Sequence, residues 1–216
     1  MSLTEVPADE RRCLADRKAE RELVEHRHLW QGRVMGLEED LVRVVDGCEP
    51  VVRQYTSHPG AVAVVVMRGQ AGSEEILLLR QYRHPVSAEL WEIPAGLLDI
   101  DGEDPRDAAI RELAEEADLV AHRWDLLVDF FCSPGGTTES LRIFLARDLV
   151  EAGVSFERLE EEADMVCAWV GLDEAVAMIL DGRLHNPSAV TGILAAHAAR
   201  AKGWEGLRAV DASWLR

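Results

Sequence analysis

The run that most constrains this chain is GAVAVVVM at residues 60–67. It is apolar without alternation, rich in β-branched valine and free of charge. A strand with one face in water reads as alternating polar and apolar positions, so this one is suited to burial on both faces. EILLLRQYR (75–83) reads as a second such strand, and RWDLLVDFF (123–131), SLRIFLAR (140–147) and VCAWVG (166–171) as further ones. The loop CSPGGTTE joins two of them. A doubly buried strand needs a layer above and below its sheet. Helical segments are indeed interleaved. DEAVAMILDGR has Asp173 as cap and Gly182 as stop, and NPSAVTGILAAHAARAKG has Asn186 before Pro187 at the first helical position and ends at Gly203. The expected class is α/β, a mixed sheet sandwiched by helices.

Ahead of this region, WQGRVMGL and DLVRVVD lie between Trp30 and Arg53, split by the acidic pair Glu38-Glu39 and followed by a turn at Asp46-Gly47. They predict a small antiparallel β unit. Residues 1–26 are dense in charge and read as a mobile or helical tail. The expected organisation is a charged tail over 1–26, a β-rich segment over 27–57, the main domain over 58–203 and a C-terminal tail over 204–216.

The 216 residues, 48% of them hydrophobic, suffice for one large core. Forty acidic residues against twenty-three basic ones leave a formal charge of −17. Such a field repels phosphate backbones, which argues against a nucleic-acid partner. An anionic small substrate would need metal ions or placed arginines to reverse the sign locally. Cys13, Cys48, Cys132 and Cys167 are scattered without a CxxC pair, as expected of reduced thiols in a cytoplasm rather than a disulfide framework or zinc site. No apolar run reaches membrane-spanning length, and MSLTEVPADERR lacks a signal-peptide apolar region, so a soluble protein without a membrane partner is expected. His26 and His28 have no third ligand nearby in sequence, which argues against a metal site there. Ser133 lacks a G-x-S-x-G elbow, which argues against a serine nucleophile.

Residues 91–119 read WEIPAGLLDIDGEDPRDAAIRELAEEADL. Asp104 can cap a helix, Pro105 suits its first turn and Asp107 favours its positive end. At about 100° per residue, Ile110, Leu113, Ala114 and Ala117 form a stripe expected to face the core. Glu112, Glu115 and Glu116 are expected on the opposite side, at i, i+3 and i+4, where like charges repel by about 0.2–0.5 kcal/mol per pair. A solvated acidic face and a divalent-cation site both suit that spacing.

The stretch resembles the Nudix box, G-x5-E-x7-R-E-U-x-E-E-x-G-U, where U is bulky and apolar. Gly96 opens it, Glu103 follows, and after seven intervening residues come Arg111, Glu112, Leu113, Ala114, Glu115, Glu116, Ala117, Asp118 and Leu119. Two departures stand out. Six residues rather than five separate Gly96 from Glu103, and Asp118 replaces the second glycine. Neither removes a carboxylate. The resemblance implies a Nudix α/β/α sandwich. It also implies Mg²⁺ or Mn²⁺ held by Glu112, Glu115 and Glu116 with the carbonyl of Ala95, and an ion pair between Glu103 and Arg111.

RQYRHPVSAELWEIPAGLLD, with Pro134 sixteen residues beyond Asp118, is similar to the ADP-ribose pyrophosphatase branch of that family. The likeness implies hydrolysis of ADP-ribose to AMP and ribose 5-phosphate. Another nucleoside diphosphate sugar, such as GDP-mannose, and a non-catalytic ADP-ribose sensor are the alternative readings. The catalytic base is implied to lie in Glu160-Glu161-Glu162, at Glu161 or Glu162, with Glu115 a further catalytic candidate. Arg83 and Arg53 are candidates for the phosphates, since guanidinium pairs bidentately with them. Glu92 and Glu139 are candidates for ribose hydroxyls or metal. No aromatic stands near residues 33–35 to stack on adenine, and Trp30 is a substitute or a core or dimer residue. Relatives in this branch pair through exchanged N-terminal segments, so a homodimer is expected.

Overall fold

The computed structural model describes residues 5–153 and 165–216. Its centre is β4 (Ala61–Arg68), the run that opened the sequence reading. Ala61, Ala63, Val65 and Met67 face one buried cluster, while Val62, Val64 and Val66 face another. Both sets are buried because both faces of the sheet are covered, and each buried valine or leucine contributes roughly 1.5–3 kcal/mol. The strand runs β10-β5-β4-β9-β8, with β6 added to β5 and β7 to β4, making seven strands. These are β5 (Glu75–Arg83), β6 (Ala88–Glu92), β7 (Ala95–Leu97), β8 (Leu119–Phe131), β9 (Ser140–Glu151) and β10 (Val166–Gly171). β4 and β9 are parallel, whereas the other pairings are antiparallel, so the sheet is mixed.

One face is covered by α1 (Pro105–Ala117), which contributes Ala108, Ala109 and Leu113. The other is covered by α2 (Leu172–Leu180) and α3 (Pro187–Ala201), through Leu172, Ala175, Ala189, Ile193 and Ala196. The Asn186 side chain caps α3 by accepting from the Ala189 amide at 2.9 Å, as expected. The expected cap of α2 is corrected: Gly171 holds the N-cap position, and Asp173 lies inside the first turn, ion-paired with Arg200 across to α3. An aspartate facing a partly buried arginine on the neighbouring helix is drawn into that pair instead.

The N-terminal unit is a three-stranded antiparallel sheet, β1 (Glu22–Gln31), β2 (Gly36–Arg43) and β3 (Val51–Ser57). It differs from the sequence reading in its strand boundaries: the β1–β2 connection at residues 32–35 lies inside the expected WQGRVMGL run, and Val51–Ser57 adds a third strand. A strand begins at Glu22, inside the expected tail, and Glu38-Glu39 lies within β2 rather than between strands. The cause is cross-strand pairing that a linear reading does not contain. His28 faces Glu38, Arg27 faces Glu39 and His26 faces Asp40, so the acidic residues of β2 are neutralised along β1. The segment after β8 joins the two sheets: the Thr56 amide donates to Gly136 (3.0 Å), and the Thr138 amide to Thr56 (2.9 Å). Residues beyond α3 lie along β8 and β9. The Leu126 amide donates to the Arg208 carbonyl, and buried Arg142 donates to Asp129 and to the carbonyls of Ala212 and Ser213. No helix among the described residues is long and apolar enough to cross a membrane.

The pairs across β1 and β2 give the small sheet a pH signature. The hydrogen bond to Asp40 raises the pKa of His26 above its ordinary 6.5, so the stabilisation is full below that value and fades as pH rises through the folded one. The Ser57 hydroxyl, then His28, lowers that of Glu38 below 4.5, so its contribution is full above 4.5 and fades as pH falls through the folded value. We expect an NMR titration to place His26 above 6.5 and Asp40→Asn to return it toward 6.5. A His26 titration unmoved by Asp40→Asn would refute the pairing.

Candidate active site

The site is built on α1. The Asp104 carboxylate accepts from the Arg106 amide at 2.8 Å, Pro105 occupies the first turn and Asp107 sits at the positive helix end. At the other end Asp118 takes the left-handed conformation (φ 54°) and its amide donates to the Ala114 carbonyl. That is the geometry for which the box pattern has glycine, and aspartate adopts it more readily than most residues.

The rotation of α1 corrects the expected stripe. Ala108, Ala109, Leu113 and Glu116 are the buried residues, while Ile110 and Ala114 are only partly covered. On the wheel Glu112 and Glu116 fall between Ala108 and Leu113, so they lie on the inward arc and not opposite it. Two alanines against the sheet let the helix approach closely, and the neighbouring glutamates are turned toward β7. There the Ala95 amide donates to Glu116 Oε2 at 3.0 Å. A Cβ added to Gly96 would overlap the Glu112 carboxyl group, so the first box glycine is the space that this side chain occupies.

Arg111 binds the acidic groups together. It grips Glu103 through Nε (3.0 Å) and a terminal nitrogen (3.1 Å), and reaches Glu112 at 2.6 Å and Glu115 at 3.2 Å. The expected Glu103–Arg111 pair is therefore present, and the same guanidinium bridges two of the three candidate metal ligands. The Arg111 hydrogen bond holds the Glu103 carboxyl below the usual range, and Glu103 in turn raises Arg111. Glu115 is the most open of the trio, with its side chain 40% exposed.

Among the described residues no three His, Cys, Asp or Glu side chains converge tightly enough to hold an ion as they stand. The residues nevertheless fit a hard divalent cation. Their donors are all oxygen, two of the three carboxylates face the sheet, and Gly96 keeps the space beside Glu112 open.

Arg83 and Glu92, on β5 and β6, come together as a bidentate pair at 2.9 and 2.6 Å, with Glu92 buried. Glu92 thus orients Arg83 from behind. Glu139 lies by Cys132, whose thiol burial, then Glu139, pushes up to about 12, so this cysteine stays protonated. Arg53 lies exposed on β3, with its guanidinium on the Val52 carbonyl (3.0 Å), and none of its hydrogen bonds or ion pairs reaches α1. Trp30 is exposed on β1. Glu160, Glu161 and Glu162 lie outside the described residues. Around His26 and His28 the structure supplies the carboxylates Glu38 and Asp40 that the sequence did not bring near, as hydrogen-bond partners.

A cavity of about 610 Å³ opens between the turn joining β1 to β2 and the box loop, lined by Arg33, Pro59, Leu97, Leu98, Asp99 and Asp101. Its volume suits a small-molecule ligand. Arg33 in this wall is not among the expected site residues, because its place depends on the β1–β2 pairing and no local pattern marks it. A second cavity, about 390 Å³, has Glu116, Leu79 and Trp169 in its wall.

The sequence profile of the NUDIX domain matches residues 57–190. An ADP-ribose pyrophosphatase of Mycobacterium tuberculosis is 40% identical over 90% of this chain and 91% of its own length. A methanol dehydrogenase activator of Bacillus methanolicus is 32% identical over 81% of the chain and 91% of its own. In three dimensions a solved ADP compounds hydrolase superimposes with a TM-score of 0.69 at 18% identity, covering 88% of this chain and 99% of that one, a likeness of fold.

Gly96→Ala is expected to displace the Glu112 carboxylate and weaken Mn²⁺ binding roughly tenfold to a hundredfold. Calorimetric titration checks this, and unchanged Mn²⁺ affinity in a folded variant would remove Gly96 and Glu112 from the site.

Proposed function

The chain belongs to the NUDIX domain family, and on that premise we propose that it hydrolyses the diphosphate of ADP-ribose to AMP and ribose 5-phosphate. The observation that carries this reading is the placing of Glu112 and Glu116 inward against Gly96 and Ala95, in a chain 40% identical along nearly its whole length to an ADP-ribose pyrophosphatase.

Glu112, Glu115 and Glu116, with the Ala95 carbonyl, would hold Mg²⁺ or Mn²⁺. Bound there, such an ion supplies positive charge against the diphosphate and acidifies coordinated water. The remaining work falls to side chains. Arg83, oriented by Glu92, presents a fork to a phosphate oxygen pair, and Arg53 and Glu139 are further substrate candidates. Arg111 keeps the box loop and α1 in register through Glu103. Glu161 or Glu162, with Glu115 as a further candidate, takes the proton from the attacking water. The water oxygen bonds to one phosphorus, the bridging P–O bond breaks, and the other phosphate leaves as a monoester.

Glu112→Gln and Glu116→Gln are each expected to lower kcat for ADP-ribose by a factor on the order of 10² or more. Hydrolysis is read as AMP release with added Mg²⁺. Wild-type protein that releases no AMP from ADP-ribose but turns over GDP-mannose would overturn the substrate assignment, and inactivity on both with retained ADP-ribose binding would favour a sensor.

We also propose a cytoplasmic homodimer formed through the small sheet. Leu23, Leu29, Trp30, Leu37 and Val52 are large apolar residues left exposed on it, more than an isolated sheet of this size needs to present. All four cysteines are free. Light scattering should give twice the 24.0 kDa chain mass, and a fully active monomer would reject the pairing.

A further inference from the structure

At the far end of β4 from Gly96, three arginines meet around a cavity of about 330 Å³. Arg68, Arg123 and Arg147 line it with Trp204, Glu74 and Asp148. Gly96 pairs with Val62, so six residues of strand, about 20 Å, separate the two levels. We propose that this cavity is a binding site for a small phosphate-bearing anion, separate from the carboxylate site.

The first argument is register. Arg123 and Arg147 stand directly opposite each other on β8 and β9, an arrangement that like charges disfavour. One carboxylate, Asp125, serves both: it accepts from Arg147 at 2.5 Å and lies 3.6 Å from Arg123. Arg68 has Glu75 at 2.8 Å. Three guanidinium groups thus share two carboxylate partners. Of the acids in the wall, Glu74 is engaged by Arg200 (3.4 Å) and the Gly72 amide (3.0 Å), and Asp148 is exposed. In a chain of net charge −17, three arginines lining one small cavity are a local concentration of guanidinium groups.

Arg147 is largely buried, with its Nε closed to solvent and without a hydrogen-bond partner among the described residues. A phosphate in the cavity would therefore be met by terminal guanidinium nitrogens, from Arg147 and from the more exposed Arg68 and Arg123. The second argument is strain. Trp204 adopts φ 65°, a left-handed conformation rare for a bulky residue, and its ring lies 4.8 Å from the Arg147 guanidinium. The stack holds that guanidinium in one plane. Arg68 is fixed in the same way on Trp169, at 4.0 Å.

The test is calorimetric titration of the full chain with inorganic phosphate in EDTA, so that no metal can recruit phosphate to Glu112 and Glu116. Saturable binding is expected, weakened at least tenfold by Arg123→Glu and by Arg68→Glu. Both side chains are exposed enough to change without loss of the fold, which circular dichroism checks. Tryptophan fluorescence should respond to phosphate in wild type, with the response diminished in Trp204→Phe. AMP and ribose 5-phosphate form parallel arms: tighter binding of AMP identifies a nucleotide ligand, and equal affinity identifies the phosphate group alone. Absence of saturable binding at millimolar phosphate, or equal binding by wild type and both charge-reversed variants, would overturn the proposal. Neither result bears on ADP-ribose hydrolysis, which is measured separately.

Discussion

The site depends on holding several carboxylates close together against their mutual repulsion. Glu103, Glu112 and Glu115 are all reached by one guanidinium, that of Arg111, and Glu116 is tied to the Ala95 amide. Glutamates alone at i, i+3 and i+4 would spread into solvent. Arg111 holds Glu112 and the Ala95 amide holds Glu116 near β7, and the space Glu112 needs is the one left by the missing side chain of Gly96. The arginine and glycine of the box are thus mechanical parts. One offsets the charge repulsion and the other admits the Glu112 carboxyl group.

That arrangement requires a helix held very near a sheet. Val62, Val64 and Val66 supply a flat apolar face, and Ala108 and Ala109 are small enough to sit directly on it. Close approach is then what turns Glu112 and Glu116 inward, since they lie on the same arc of the helix as the alanines. The same strand presents Ala61, Ala63 and Val65 to α3, where Gly192 has no room for a Cβ between Val65 and Ile93. Packing on both faces therefore fixes β4, and β4 fixes β7 and the carboxylates.

Much of this was legible in local patterns. The unalternating run at 60–67, the Asp104 and Asn186 caps and the spacing from Gly96 to Glu116 each act over a few residues, and each appears where expected. What escaped depends on distant partners. Glu38-Glu39 looked like a break because its neutralising residues, Arg27 and His28, lie on another strand. The inward turn of Glu116 escaped because the expected stripe of Ile110, Leu113, Ala114 and Ala117 left out Ala108 and Ala109, the small residues that pack against the valines. Asp173 had the right residue type for a cap but was claimed by Arg200, a residue of α3.

The distribution of charge follows from the same logic. A molecule with 40 acidic and 23 basic residues must still accept an anionic substrate. Among the described residues, several partly or deeply buried arginines each have a carboxylate partner: Arg83 with Glu92, Arg111 with Glu103, Arg142 with Asp129 and Arg147 with Asp125. Pairing removes the cost of burying a lone charge and fixes the direction of the fork. At Arg83 and Glu92 this leaves a cation oriented from behind by a buried acid. In the proposed role of Arg83 as a phosphate contact, a side chain already held in this way would lose less entropy on binding.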